Sequence, residues 1–370
     1  IETVAVGKSR LNYPLIDGVV NGCPSHLLEP SRLQLIQYSE DFSQGYWTKS
    51  GSSVTSGFVS PSGDLSAYKL NILNTANEAK YLNSSIITVG GGSATVVTTQ
   101  MFVKKNEVTR VGLSDGHYNY GWVVVDLING SVISVGGAGY ISNSITLLAN
   151  DWYLISLTFT THSTGTYKAT CSLLDGSYVS GNPKAYSSIG VIGFGVYIYG
   201  FQAEVGSYPT SYIPNYGTSA GITRSAETAT GAGDASTFND SEGVLMAEIS
   251  ALADDNSARK IAIVEGSTQN QVSIGYSTST KKIRAITYDG AVKGETFTNV
   301  YDVLSSNKVA YKYKSGDNVL WVNGFALDTS TNTNILDGVT LNSLNFNANA
   351  SDFYGNTKQI QYFDSALNDS

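Results

Sequence analysis

Hydrophobic and polar positions alternate with a period of two through much of the chain. In Val309-Ala310-Tyr311-Lys312-Tyr313-Lys314, one face carries Val309, Tyr311 and Tyr313 while Lys312 and Lys314 point to water, the pattern of a half-buried strand. A turn at Ser315-Gly316-Asp317-Asn318 follows, and the chain returns as Val319-Leu320-Trp321-Val322-Asn323. Long runs with apolar residues at i, i+3, i+4 and i+7 are missing, and strong helix formers are thin. Asn-Gly and Asp-Gly pairs suit the positive φ angles of tight hairpins. They recur at Asp17-Gly18, Asn21-Gly22, Asp115-Gly116, Asn129-Gly130, Asp175-Gly176, Asp289-Gly290, Asn323-Gly324 and Asp337-Gly338, mostly between runs rich in Val, Ile, Thr and Tyr. The pattern predicts an all-β protein of antiparallel sheets, in sandwiches or jelly rolls.

At 370 residues the chain exceeds what one hydrophobic core fills, so two domains of ~150–200 residues are expected. The clearest composition break lies between Pro214 and Asn239, a small, polar, glycine-bearing run that reads as a connector. The expected division is an N-terminal connecting segment over 1–32, a first β domain over 33–214, a linker over 215–240 and a second β domain over 241–370.

Charge narrows the function classes. Acids outnumber bases 30 to 22, for a net charge of −8, which leaves no basic footprint for a nucleic-acid backbone or an anionic membrane surface. No stretch approaches the ~18–20 apolar residues of a membrane-spanning helix. The chain opens at Ile1 without an initiator methionine, which predicts a processed product or a piece of something longer. Cys23 and Cys171 are far apart, and disulfide, free thiols and buried packing are all open readings, with buried thiols preferred.

Catalytic patterns are weak. His26, His117 and His162 are the only histidines, and His26 three residues after Cys23 lacks the further ligands a zinc site needs. There is no Gly-x-Ser-x-Gly elbow. Glu248 has Met246 and Ser250 as its same-face neighbours, so the paired carboxylates of a glycosidase strand are missing there. Gly90-Gly91-Gly92 has no lysine at P-loop spacing and reads as a turn. No cofactor is expected. A structural calcium is a softer possibility, with Asp317-Asn318, Asp254-Asp255-Asn256 and Asn150-Asp151 as candidate loops and no ligand set that can be named.

The tyrosines, 24 of them, then carry the most information. Sugars lay a C–H face on an aromatic ring while polar side chains take the hydroxyls. In Ser114-Asp115-Gly116-His117-Tyr118-Asn119-Tyr120-Gly121-Trp122, the residues Tyr118, Tyr120 and Trp122 alternate and share one sheet face if the segment is extended. Asp115 and Asn119 lie close by as hydroxyl partners. These five residues form the candidate glycan site; the competing reading is that this face is a core side. Tyr197, Tyr199 and Phe201 form a similar stripe opposite Val196 and Ile198, and both faces being apolar predicts a central buried strand. Trp47, Trp152 and Trp321 are read as core.

Several runs are specific in combination. Tyr13-Pro14-Leu15-Ile16-Asp17, Gly22-Cys23-Pro24-Ser25 and Leu27-Leu28-Glu29-Pro30-Ser31-Arg32 precede Leu35-Ile36-Gln37-Tyr38-Ser39-Glu40-Asp41-Phe42 and Trp47. A second landmark runs from Gly200-Phe201-Gln202-Ala203-Glu204-Val205-Gly206-Ser207-Tyr208-Pro209-Thr210-Ser211-Tyr212-Ile213-Pro214 to Thr223-Arg224-Ser225-Ala226-Glu227. Together they resemble tailed-bacteriophage structural proteins of the fibre, tail or head-decoration type, which between these landmarks are similar to carbohydrate-binding jelly rolls. From Ser241 onward the chain resembles a concanavalin A-like, laminin-G-type sandwich, through Trp321-Val322-Asn323-Gly324 and the closing Gly355–Phe363 run. Relatives usually carry Thr-Asn-Leu after the arginine, where this chain has Leu33-Gln34-Leu35. The family supplies no sugar-binding residues that transfer position by position.

The resemblance implies a jelly roll and a concanavalin A-like sandwich in tandem, on the surface of a virion. The expected function is non-enzymatic binding of host-surface glycan, in company with other virion proteins and as a homotrimer. The alternatives are a purely structural assembly protein and a polysaccharide-depolymerising tailspike.

Overall fold

The structure is a computed structural model and describes residues 10–16, 18–278, 283–298, 302–333, 336 and 338–368. Among these residues there is no α-helix, and the strands pair antiparallel throughout. The chain divides into two compact units. One comprises Leu15–Asn21 and Ser31–Ser225; the other comprises residues 10–14, Gly22–Pro30 and Ala226 onward.

The first unit is a sandwich of two six-stranded sheets. One sheet runs Tyr140–Leu147, Trp152–Thr160, Val96–Lys104, Gly195–Val205, Ala67–Ile72 and Ser52–Phe58. Its partner runs Ser131–Gly136, Trp122–Asp126, Arg110–Asp115, Ala169–Leu174, Lys80–Asn83 and Thr48–Ser50. Alternate residues of both meet in one core, with Val97, Met101, Leu157, Phe159 and Ile198 from the first sheet and Val111, Leu113, Val123, Val125 and Cys171 from the second. The chain crosses between sheets repeatedly, as from Val96–Lys104 to Arg110–Asp115, in the manner of a jelly roll.

The expected stripe of Tyr197, Tyr199 and Phe201 is broken. Gln100 pairs with Gln202 but Phe102 pairs with Tyr199, so Gly200 and Phe201 together oppose Met101. Gly200 has φ +54°, the left-handed conformation such a bulge requires. The extra residue flips the alternation. Tyr197 and Tyr199 pack with Phe102 and Trp152 on the outer face, while Phe201 enters the core and stacks on Trp47 at 5.6 Å.

The landmark runs form a polar brace in this unit. Strand Arg32–Gln34 pairs with Ile222–Arg224. The Gln34 amide donates to the Phe201 and Ile213 carbonyls and accepts from the Ile36 and Ala203 amides. Buried Glu204 accepts from the Thr210 amide (2.6 Å) and hydroxyl (2.7 Å), with Arg32 at 4.0 Å. Burial dominates there and raises the Glu204 pKa against the opposing pull of Thr210, Arg32 and Arg224. A second brace lies within the other unit, where the Arg10 guanidinium joins Glu29 and Glu227, and Glu227 also accepts from the Glu29 amide at 2.8 Å.

The second unit is also a sandwich. A seven-stranded sheet runs Arg10–Asn12, Ser25–Leu28, Gly355–Phe363, Glu242–Ala251, Asn307–Lys314, Asn318–Val322 and Phe325–Ser330. A five-stranded sheet runs Val292–Thr298, Ile283–Tyr288, Ser267–Tyr276, Arg259–Glu265 and Ser343–Asn345. Two strands from the N-terminal segment thus extend the larger sheet, and linker residue Ala232 bridges to Leu344. Val309, Tyr311 and Tyr313 face the core as the alternation predicts. Lys312 does not face water: it is buried, 2.9 Å from Asp317 and over the Trp321 ring, which satisfies its charge locally. Trp321 is half-buried rather than core, while Trp47 and Trp152 are fully buried.

Candidate functional site

The segment that carries Tyr118, Tyr120 and Trp122 is not one extended strand. Strand Arg110–Asp115 ends, residues 116–121 turn, and the chain returns as Trp122–Asp126, with Ser114 opposite Trp122. The three rings therefore do not share a face. Trp122 lies on the outer side of its sheet among Val124, Tyr178 and Tyr186, held there by packing. Tyr120 leans on the main core. Tyr118 alone of the three is solvent-facing, at 40% exposure.

Asp115 builds this turn. Its side chain is fully buried, and it accepts from the amides of His117 at 2.9 Å and of Tyr118 and Tyr120 at 3.3 Å. A short carboxylate following its own chain in this way is an Asx turn carried further, and it leaves no oxygen for a sugar hydroxyl. Asn119 is exposed, with φ +65°, and remains available at the tip. Lys184 reinforces the base by donating to the Gly116 carbonyl.

The fold brings in a residue that local sequence does not point to. His162 follows strand Trp152–Thr160, whose neighbour Thr161 is tied to Thr95 by a backbone hydrogen bond of 2.9 Å. Its ring stacks on Tyr118 with centroids 4.0 Å apart and planes 19° from parallel. Tyr120 meets the same imidazole edge-on at 5.3 Å, and His117 meets Tyr118 at 4.1 Å. The Thr164 amide donates to His162 Nδ1 at 3.2 Å, so in the neutral ring that nitrogen is the acceptor and the proton sits on Nε2. The result is a four-ring wall bordered by Asn119, Ser163 and Thr164. It offers aromatic faces, hydroxyls and an imidazole N–H, the equipment for neutral polar ligands with apolar C–H surfaces.

Other candidates are absorbed structurally. Glu248 binds the Ser306 hydroxyl (2.7 Å) and Lys358 (3.3 Å), and these contacts hold its carboxyl below the ordinary range. Asp255 pairs with Arg259 and Asp317 with Lys312. Asn318 is buried and donates to the Ser330 and Asn332 carbonyls. Asn150 and Asp151 both adopt positive φ, and the Asn150 carbonyl accepts from Lys104. Among the described residues no three His, Cys, Asp or Glu side chains gather as a metal site would require. Gly90-Gly91-Gly92 is a turn with all three φ angles positive. Half-buried His26 meets Phe346 edge-on at 5.4 Å, and burial lowers its pKa. Both cysteines are free: Cys171 is buried, its thiol pushed up to about 12, but Cys23 is exposed, contrary to the buried-thiol expectation.

Neither protein-family models nor curated proteins match this chain. Among solved structures it is similar to domains LG4-5 of the mouse laminin alpha1 chain, at 10% identity and TM-score 0.27, over 97% of this chain and 93% of that one. The LG1-3 region of the laminin alpha2 chain is 12% identical at TM-score 0.27, over 76% of this chain and 64% of that one. A Trypanosoma rangeli sialidase in complex with sialic acid is 11% identical at TM-score 0.29, over 82% and 59%. These likenesses are distant, and the all-β sandwich class rests on the chain's own strand pairings and two cores.

Proposed function

We propose that the protein is a non-catalytic, glycan-binding component of a virion surface, and that the ring wall of His117, Tyr118, Tyr120 and His162 is its sugar platform. The observation that carries the reading is the exposed Tyr118 ring, stacked on His162 and bordered by Asn119, Ser163 and Thr164. Preorganised aromatic surface binds without ordering a loop first. The virion setting rests on the resemblance of the two landmark runs to phage structural proteins. Contacts of this kind are weak singly, and several linked copies would raise avidity by ~10²–10⁴.

The test incubates the purified chain with host cells and host surface polysaccharide, following retention and the release of reducing ends. Retention without new reducing ends is the expected result. Tyr118→Ala and His162→Ala should each weaken retention about tenfold, the equivalent of ~1.4 kcal/mol, with the thermal transition unchanged. New reducing ends would replace the reading with a depolymerase. Retention untouched by both substitutions would remove this wall from consideration.

One observation favours the assembly reading beside it. Ile189, Val191, Ile192 and Phe194 are exposed on a loop hydrogen-bonded to Ile72, next to exposed Leu73. Clustered apolar exposure of this sort marks protein contact.

A further inference from the structure

The five-stranded sheet of the second unit has another face, turned away from the core. Along it, strand pairing sets Lys260 opposite Gly275 and Gly275 opposite Arg284. Directly paired residues share a face, so two cationic side chains flank a position with no side chain at all. A cavity of about 210 Å³ opens there, lined by Lys260, Ser273, Gly275, Ser277, Arg284 and Ile286 among others. The glycine cannot be replaced without cost, since a Cβ would lie 1.9 Å from the Arg259 carbonyl oxygen.

One of the two positive charges in this cavity has no carboxylate beside it. Among the described residues no carboxylate pairs with half-buried Lys260. Burial first, and then the positive charge of Arg284, hold its ammonium below the ordinary range. Glu295 lies 2.8 Å from Arg284 Nε and balances its charge, while the guanidinium keeps further donors. Like charges held side by side are relieved by an anion between them. Carboxylate and sulfate oxygens accept from an ammonium and a guanidinium together. The space is several times the ~30 Å³ share of one water, so it admits a ring as well as its anionic group. Serine hydroxyls and the Ile286 side chain supply polar and apolar walls for that ring.

We propose that this cavity binds the carboxylate or sulfate group of an acidic saccharide, clamped between Lys260 and Arg284 beside Gly275. The saccharide rests on the glycan-binding reading above; the oxyanion clamp rests on the sheet register and on the cavity and charges it creates. Calorimetric titration of the full chain with glucuronate, glucose and inorganic sulfate tests it. Glucuronate is expected to bind, sulfate to displace it, and glucose to bind roughly tenfold or more weakly. Lys260→Gln and Arg284→Gln should each weaken glucuronate about tenfold. If Arg284→Gln lowers thermal stability, Lys260→Gln alone carries the comparison. Glucose binding as well as glucuronate, or Lys260→Gln leaving glucuronate unaffected, would overturn the clamp. Sulfate binding without glucuronate binding would overturn the saccharide. Tyr118→Ala should leave glucuronate affinity unchanged while lowering polysaccharide retention, so failure of either site is read separately from the other.

Discussion

Asp115 and Asp41 show how a carboxylate's role is set by what surrounds it. In sequence, Asp115 beside two tyrosines reads as a partner for sugar hydroxyls; in the fold its oxygens are taken by the amides of its own turn. Asp41 likewise accepts from the Ser43 backbone amide and hydroxyl, the Gln44 side-chain amide and the Tyr68 hydroxyl. Partial burial opposes ionisation, but these donors win and hold its pKa down to about 2. Because the folded value lies below the unfolded 3.8, the stabilisation is full above the unfolded value and is lost as pH falls toward about 2. Urea midpoints measured from pH 5 to pH 2 should fall over this window, and Asp41→Asn should flatten that part of the profile. An equally steep profile in the variant would assign the acid sensitivity to other carboxyls.

The strand Gly195–Val205 changes which face it buries halfway along, and the cause is the bulge at Gly200. Tyr212 and Phe102 lie 3.0–3.1 Å from where a Cβ would sit, and φ is +54°. Gly200→Ala should therefore cost roughly 1–2 kcal/mol from the backbone conformation alone, read as a lower denaturant midpoint at constant slope. A neutral result would show that the strand re-registers at no cost. The Asn323-Gly324 hairpin is a contrasting case, in which local chemistry was enough. Both residues have positive φ, and Val322 pairs directly with Phe325, as an Asn-Gly pair between strands predicts.

Two sandwiches with separate cores make a chain whose surface functions can be altered one unit at a time. Exposed Ile189, Val191, Ile192 and Phe194 lie on the first unit. If they join copies in the proposed homotrimer, sedimentation analysis should give a trimer for the native chain, and Ile192→Asp should shift it to monomer without loss of fold. A native chain that sediments as a monomer would remove the self-association and leave this patch for a different partner protein.

The strand alternation and the Asn-Gly turns are local signals, and they suffice for an all-β chain of antiparallel sheets. Such signals act between neighbours in sequence, where φ preferences and side-chain period are decided. They do not reveal which distant segments meet. His162, just past strand Trp152–Thr160 of one sheet, reaches Tyr118, in the turn between two strands of the other, only because the two sheets pack face to face. Lys312 is buried because Asp317 and Trp321 close over it, and Lys260 faces Arg284 only through a shared register with Gly275. Alternation assigns a side chain to a face of its strand; what covers that face is decided by long-range pairing, and with it the difference between a core, a brace and a site.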